Sequence, residues 1–215
     1  MAREVDLIVP MKPPHAGKSR LRGAAGTPPG AGGHAELVLA LAVDTLNAAI
    51  GAAGVRRVLV VGTDPTALAE LTELGVEVVR ELGAGGLNAA LRHGETLLRR
   101  DDPGSVVAAL QADLPALRSV ELAEALAEAD ERRAFLADRH GTGTTLLVSA
   151  PGAPLGPLFG TGSALAHLES GAVALDLPAA TLRSDVDTPA DLVHARTLGL
   201  GSRTTQLVGA PCCVT

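Results

Sequence analysis

Six short aliphatic runs punctuate the chain: VDLIVP (5 to 10), RRVLVVG (56 to 62), VEVVRE (76 to 81), SVVAALQAD (105 to 113), AFLADR (134 to 139) and TTLLVSA (144 to 150). Several are too apolar to leave one face in water, so they must be strands covered on both sides. Amphipathic patterns between them predict helices over about 35 to 53, 64 to 74, 87 to 100 and 119 to 131. AVALDLP (172 to 178) and the stretch 181 to 187 read as late strands, and a last helix follows over about 189 to 198. Repeated strand, helix, strand predicts an α/β fold with a mostly parallel sheet and helices on both faces. Ligands in such sheets bind beyond the carboxyl ends of the strands, so the chemistry is expected there.

The 215 residues, 47% of them hydrophobic, suit one domain over 1–200, with 201–215 as a C-terminal tail. No run approaches the roughly 18 uninterrupted apolar residues of a membrane helix, and MAREVDLIVP lacks the features of a signal peptide. A cytoplasmic protein without a membrane partner is expected. A net charge of −6 and the absence of Trp and Tyr argue against nucleic acid as a partner, which calls for basic surfaces and stacking platforms. Cys212 and Cys213 are adjacent and form no spaced metal motif, and the six histidines are scattered, which suggests surface positions.

Two segments rich in Gly and Pro, 11 to 34 and 151 to 162, are too long to be simple connectors. The first contains GKS (17 to 19), but a P-loop needs glycine five residues before its Gly-Lys pair, and Lys12 stands there. What remains is a cationic cluster, Lys12, Lys18, Arg20 and Arg22, readable as a solvated loop or as an anion site after the first strand. GAGGLNAAL (83 to 91) fails the dinucleotide fingerprint because Asn88 occupies the last glycine's place. Asn88 then either starts a helix or offers its amide to a base or ribose. Asp113 ends an apolar strand in LQADLPAL, as a turn residue or as a functional carboxylate.

RSDVDTPADL (183 to 192) has two parts. Thr188 as N-cap, Pro189 at the first helical position and Asp191 in the first turn make a helix start. Asp185 and Asp187 precede it in extended backbone, with side chains on one face about 6 to 7 Å apart. At an effective dielectric near 20 such charges repel by roughly 2 to 3 kcal/mol, which a divalent cation converts to attraction. Mg²⁺ suits the case, because it takes few carboxylates and leaves positions for water and phosphate.

In order, VPMKPPHAGKSRL, GLNAAL, ADLPAL, ADRHGTGT, FGTGS and DVDTPADL make the chain resemble the guanylyltransferases of coenzyme F420 biosynthesis over residues 5 to about 198. The resemblance implies a three-layer, nucleotide-diphospho-sugar-transferase-like fold. It also implies GMP transfer from GTP to a small phospho-acid, with phosphoenolpyruvate first and 2-phospho-L-lactate or 3-phosphoglycerate as alternatives, and hand-over to the next transferase. Carried over by motif, Asp113, Asp185 and Asp187 hold Mg²⁺ and, with Lys18, form the catalytic set. Lys12, Lys18 and Arg20 contact GTP phosphates, Gly86 and Asn88 the nucleoside, and Thr144, Gly160 and Ser163 the acceptor. A molybdenum-cofactor or sugar-phosphate nucleotidyltransferase would share this metal logic with a larger acceptor. A non-catalytic nucleotide-binding regulator would leave the three aspartates unexplained, and monomer and homodimer are both compatible with the pattern.

Overall fold

Aliphatic runs pair where both faces can be covered, and in the computed structural model seven segments join one sheet. The structure describes residues 4–15, 18–21, 31–64, 66, 68–81 and 85–209. Gly17, Arg22, Gly83, Cys212 and Cys213 lie outside the described residues. The strands are β1 (Val5–Met11), β2 (Val55–Gly62), β3 (Glu77–Arg80), β4 (Val106–Leu110), β5 (Ala134–Ala137), β6 (Thr144–Val148) and β7 (Val173–Ala174), in the spatial order β3-β2-β1-β4-β6-β5-β7. Pairing is parallel for β1 with β2 and β4, β2 with β3, and β5 with β7. Only β6 is reversed, antiparallel to β4 and β5, and this brings its first residue, Thr144, to the edge where the other strands end.

Helices α1 (Ala31–Ile50), α2 (Gly86–Asp101), α3 (Ser119–Ala129), α4 (Ser163–Glu169), α5 (Pro189–Leu198) and α6 (Ser202–Val208), with short 3-10 helices at Ser19–Leu21 and Ala69–Leu74, complete the described fold. Side-chain alternation along β1 shows that both faces are covered. Val5, Leu7, Val9 and Met11 join a core with Ala42, Leu46 and Ala49 of α1, whereas Ile8 joins a second core with Ala90, Leu91 and Leu98 of α2. α2 approaches so closely that a Cβ on Gly94 would lie 2.9 Å from Ile8 Cγ2, and only glycine fits. By length and composition α1 could span a membrane, but its apolar face is spent on this core.

Two expected elements differ. The helix over 64 to 74 is a 3-10 helix at Ala69–Leu74, because the inward leucines Leu68, Leu71 and Leu74 recur every third residue, the period of that helix. The strand at 181 to 187 is irregular backbone: Val186 is buried in a third core and donates one hydrogen bond to the Asp113 carbonyl (3.0 Å), without a ladder. Residue 200, the expected domain boundary, falls just before α6, whose Arg203 and Thr204 amides donate to Asp44 of α1 (3.0 and 2.7 Å).

Candidate active site

The segments that follow β1, β2, β3 and β4 converge on a cavity of about 700 Å³, within the usual range for small-molecule sites, about 300 to 1,000 Å³. Lys12, Lys18 and Arg20 from the first loop, Gly86 from α2, and Asp113 and Asp187 line it. Asp113 follows β4 directly. The Val186–Asp113 backbone hydrogen bond draws the segment before α5 alongside, so the aspartates at 185 and 187 meet the one at 113. One carboxylate oxygen from each of Asp113, Asp185 and Asp187 lies within 4.8 Å of the others.

Electrostatics at this cluster are unbalanced. Burial, then the neighbouring charges of Asp113 and Asp187, push the Asp185 carboxyl up to about 7. Lys18 reaches between Asp113 and Asp187 and forms ion pairs with both. Against the burial that lowers it, those two carboxylates raise the Lys18 ammonium above the ordinary lysine range. Lys18 itself has φ of 51°, an uncommon conformation for a side-chain residue, so its reach comes at some backbone cost. Asp113 Oδ1 is buried without a hydrogen-bond partner. One ammonium for three carboxylates, with one oxygen orphaned, fits a hard divalent cation held by oxygen ligands.

The strut behind Asp187 is the helix start anticipated from TPAD. Thr188 and Asp191 form a capping box, and Asp191 also accepts from the Asp187 amide (3.2 Å) and pairs with Arg139. Burial raises the Asp191 carboxyl, but hydrogen bonds from Thr188 and Arg139 outweigh it and hold the group below the usual range. Arg139 was not anticipated, and its spacing in sequence gives no sign of the contact.

The expected acceptor residues form a second cluster outside the cavity lining. Ser163 donates to Thr144 Oγ1 (3.1 Å), and Thr144 Oγ1 lies 2.9 Å from His167 Nδ1. The Leu158 amide donates to His167 Nε2 (3.0 Å), so Nδ1 carries the proton of the neutral ring. His167 is buried beside Phe135 and Phe159, not at the surface as the scatter of histidines suggested. Burial, then the Arg133 charge, lowers its pKa to about 4. Gly160 is exposed beside this cluster with φ of 138°, a conformation that needs glycine.

Asn88 is redirected by the geometry. Its Nδ2 donates to the Phe159 carbonyl (2.9 Å) and its Oδ1 accepts from the Phe159 amide (2.8 Å), so the amide clamps the 156–163 loop to α2 instead of facing a nucleoside. Thr63, Glu81 and Gln111 also line the cavity and were overlooked. The available signal was positional, since Thr63 and Gln111 directly follow the apolar part of a predicted strand and Glu81 comes one residue further on.

A family model described as "Guanylyl transferase CofC like" matches residues 5–207. The phosphoenolpyruvate guanylyltransferase of Streptomyces scabiei (strain 87.22) is 53% identical over 204 residues, covering 92% of this chain and 93% of that protein. Among solved structures, a nucleotide-diphospho-sugar transferase assignment from Desulfovibrio desulfuricans G20 has a TM-score of 0.68 at 18% identity, covering 93% of this chain and 90% of that one. A Mycobacterium tuberculosis H37Rv protein crystallised in complex with manganese has a TM-score of 0.54 at 16% identity, covering 91% of this chain and 98% of that one. The expected nucleotide-diphospho-sugar-transferase-like fold is thus the one observed.

Proposed function

The chain belongs to the family of CofC-like guanylyl transferases, and from that premise we propose that it transfers GMP from GTP to phosphoenolpyruvate in a Mg²⁺-dependent reaction. The carrying observation is the apposition of Asp113, Asp185 and Asp187 at a cavity lined by Lys12, Lys18 and Arg20. The Streptomyces relative is named for the same acceptor, and a structural neighbour was solved with manganese. Enolpyruvoyl-diphospho-guanosine and pyrophosphate are the products, and the cytoplasm, where both substrates occur, is the compartment. The product serves coenzyme F420 biosynthesis.

Little is asked of side chains as acids or bases. At neutral pH the acceptor phosphate is already anionic, so its oxygen attacks the α-phosphorus of GTP without a general base. The new P–O bond forms as the bond to the β-phosphate oxygen breaks, and pyrophosphate leaves with the electron pair. Asp113, Asp185 and Asp187 would hold Mg²⁺, which when bound supplies Lewis-acid polarisation of the phosphates. Lys12, Lys18 and Arg20 neutralise triphosphate charge, and the cavity walls orient the reactants. The acceptor end falls to the cluster beside the cavity, where Gly160 is exposed and Thr144 and Ser163 lie buried behind it, with Asn88 and His167 holding the 156–163 loop in place.

Incubation with GTP, Mg²⁺ and phosphoenolpyruvate is expected to release pyrophosphate in step with GTP loss, with 2-phospho-L-lactate and 3-phosphoglycerate giving less. Absence of pyrophosphate with every one of these acceptors would sink the proposal.

A further inference from the structure

We propose that Glu81 is the residue that selects guanine, a conclusion that rests on the nucleotide-binding reading of the cavity given above. The cavity has two chemically different ends. At one, built by the segments after β1 and β4, stand Lys12, Lys18, Arg20, Asp113 and Asp187, with Lys18 paired to both carboxylates, which is where phosphates and a cation belong. At the other, the lining is aliphatic, with Val61, Leu87 and Ala90, and it carries one carboxylate, Glu81.

Sheet order sets the distance between the ends. Asp113 follows β4 and Glu81 follows β3, and the order β3-β2-β1-β4 separates those strands by three intervals, about 14 Å at the usual strand spacing. That is of the order a nucleotide bridges between its phosphates and the far edge of its base. The Glu81 amide donates to the Gly62 carbonyl (2.8 Å), which extends the β2–β3 ladder by one residue and fixes Glu81 at the sheet edge. Among the described residues no ion pair or hydrogen bond involves its carboxylate. A negative charge in a cavity meant for a polyanion repels the substrate unless it meets donors.

Guanine supplies those donors. Its Watson–Crick edge presents N1–H and the N2 amino group side by side, and a carboxylate accepts from both in one plane. Adenine turns a bare N1 toward the same carboxylate, so two acceptors would face each other, and hypoxanthine offers N1–H alone. The aliphatic residues pack on the base faces in a chain that has no Trp or Tyr to stack on them. A carboxylate could alternatively accept from ribose hydroxyls, and the choice of nucleotides separates the two cases.

The experiment compares GTP, ITP, ATP and 2′-deoxy-GTP as donors with phosphoenolpyruvate, in the wild type and in Glu81→Gln. The wild type is expected to prefer GTP over ITP by about 10-fold or more in kcat/KM, and over ATP by about 1,000-fold. In Glu81→Gln the GTP value is expected to fall about 30-fold while ITP falls much less, so the GTP-to-ITP ratio collapses and the GTP-to-2′-deoxy-GTP ratio stays constant. An unchanged GTP-to-ITP ratio, or a shift confined to 2′-deoxy-GTP, would overturn the assignment. Equilibrium binding of GDP and IDP to wild type and Glu81→Ala reads base preference without turnover. Equal binding of the two by the wild type overturns the role of Glu81, whereas a GDP preference that disappears in Glu81→Ala sustains it even if no acceptor is turned over.

Discussion

Asp185 is the residue whose surroundings are least comfortable for a carboxylate, since it is drawn inward and faced by Asp113 and Asp187. Lys18 answers only the other two with ion pairs, and so occupies the place between them that a cation would take. A cation held by the three aspartates would therefore compete with Lys18 for the same oxygens and would leave the ammonium free to face phosphates. Asp185→Asn removes a like charge from this cluster without changing its shape. Turnover is expected to fall by about 1,000-fold, because several kcal/mol of charge stabilisation are lost. The thermal midpoint of the metal-free protein should hold or rise, and Mg²⁺ should no longer increase it. Steady-state assays and calorimetry check both, and unchanged turnover removes Asp185 from the metal site. The pairing of Asp185 with Asp187 was legible in sequence because Val186 between them is apolar. The lysine's bridging position was not, since nothing in a loop composition tells where a flexible side chain ends.

Among the elements, β6 and α4 depend on one buried imidazole. His167, on α4, bonds Thr144 on β6 and the Leu158 amide in the loop between them, and Ser163 at the start of α4 donates to the same Thr144 hydroxyl. Its folded-state pKa, about 4, lies below the ordinary value of 6.5. The unfolded chain thus binds the proton more readily than the folded one, so stability from His167 is complete above pH 6.5 and declines as pH falls toward 4. The loss is expected to approach about 1.4 kcal/mol per pH unit within that window. Denaturant unfolding at several pH values should show this slope in the wild type and its loss in His167→Phe; the same slope in both would shift the cause to another group. Parallel strands were readable from their apolar runs, but a run carries no direction, so the reversal of β6 was hidden. The 181–187 stretch alternates like a strand, yet it makes only isolated backbone bonds to its neighbours, Val186 donating to Asp113 and Arg183 accepting from the Arg139 amide. The 3-10 helix at Ala69–Leu74 was obscured because leucines three apart also suit an α-helical face.

At the scale of the whole molecule, the third core ties the far end of the chain to the site. Leu41 of α1, which lines the cavity, packs in one cluster with Val186, between Asp185 and Asp187, and Val208 of α6. α6 can dock because Gly201 has no side chain: a Cβ there would lie 2.2 Å from Asp44 Cγ. A chain ending at Leu200 loses the two amide donors to Asp44 and the cover over Leu37 and Leu41. The expected cost is about 3 kcal/mol or more, roughly 6 to 12 °C in thermal midpoint, together with weaker GTP binding. Calorimetry and nucleotide titration test this, and an unaltered midpoint and affinity would make α6 an appendage. The region past 200 reads as a tail because it carries no motif, and its docking on Asp44 is a long-range contact that no local pattern encodes.

The connection from α6 through Val186 to the carboxylates also sets an order in time. Ribosomal synthesis delivers Lys12 and the cationic loop first, Asp113 midway, Asp185 and Asp187 late, and the helix that braces them later still. A growing chain therefore has Lys12, Lys18 and Arg20 long before it has Asp185, Asp187 and the packed wall behind them. The two late carboxylates and the helix behind them are thus the last of these parts to be made, after every strand of the sheet.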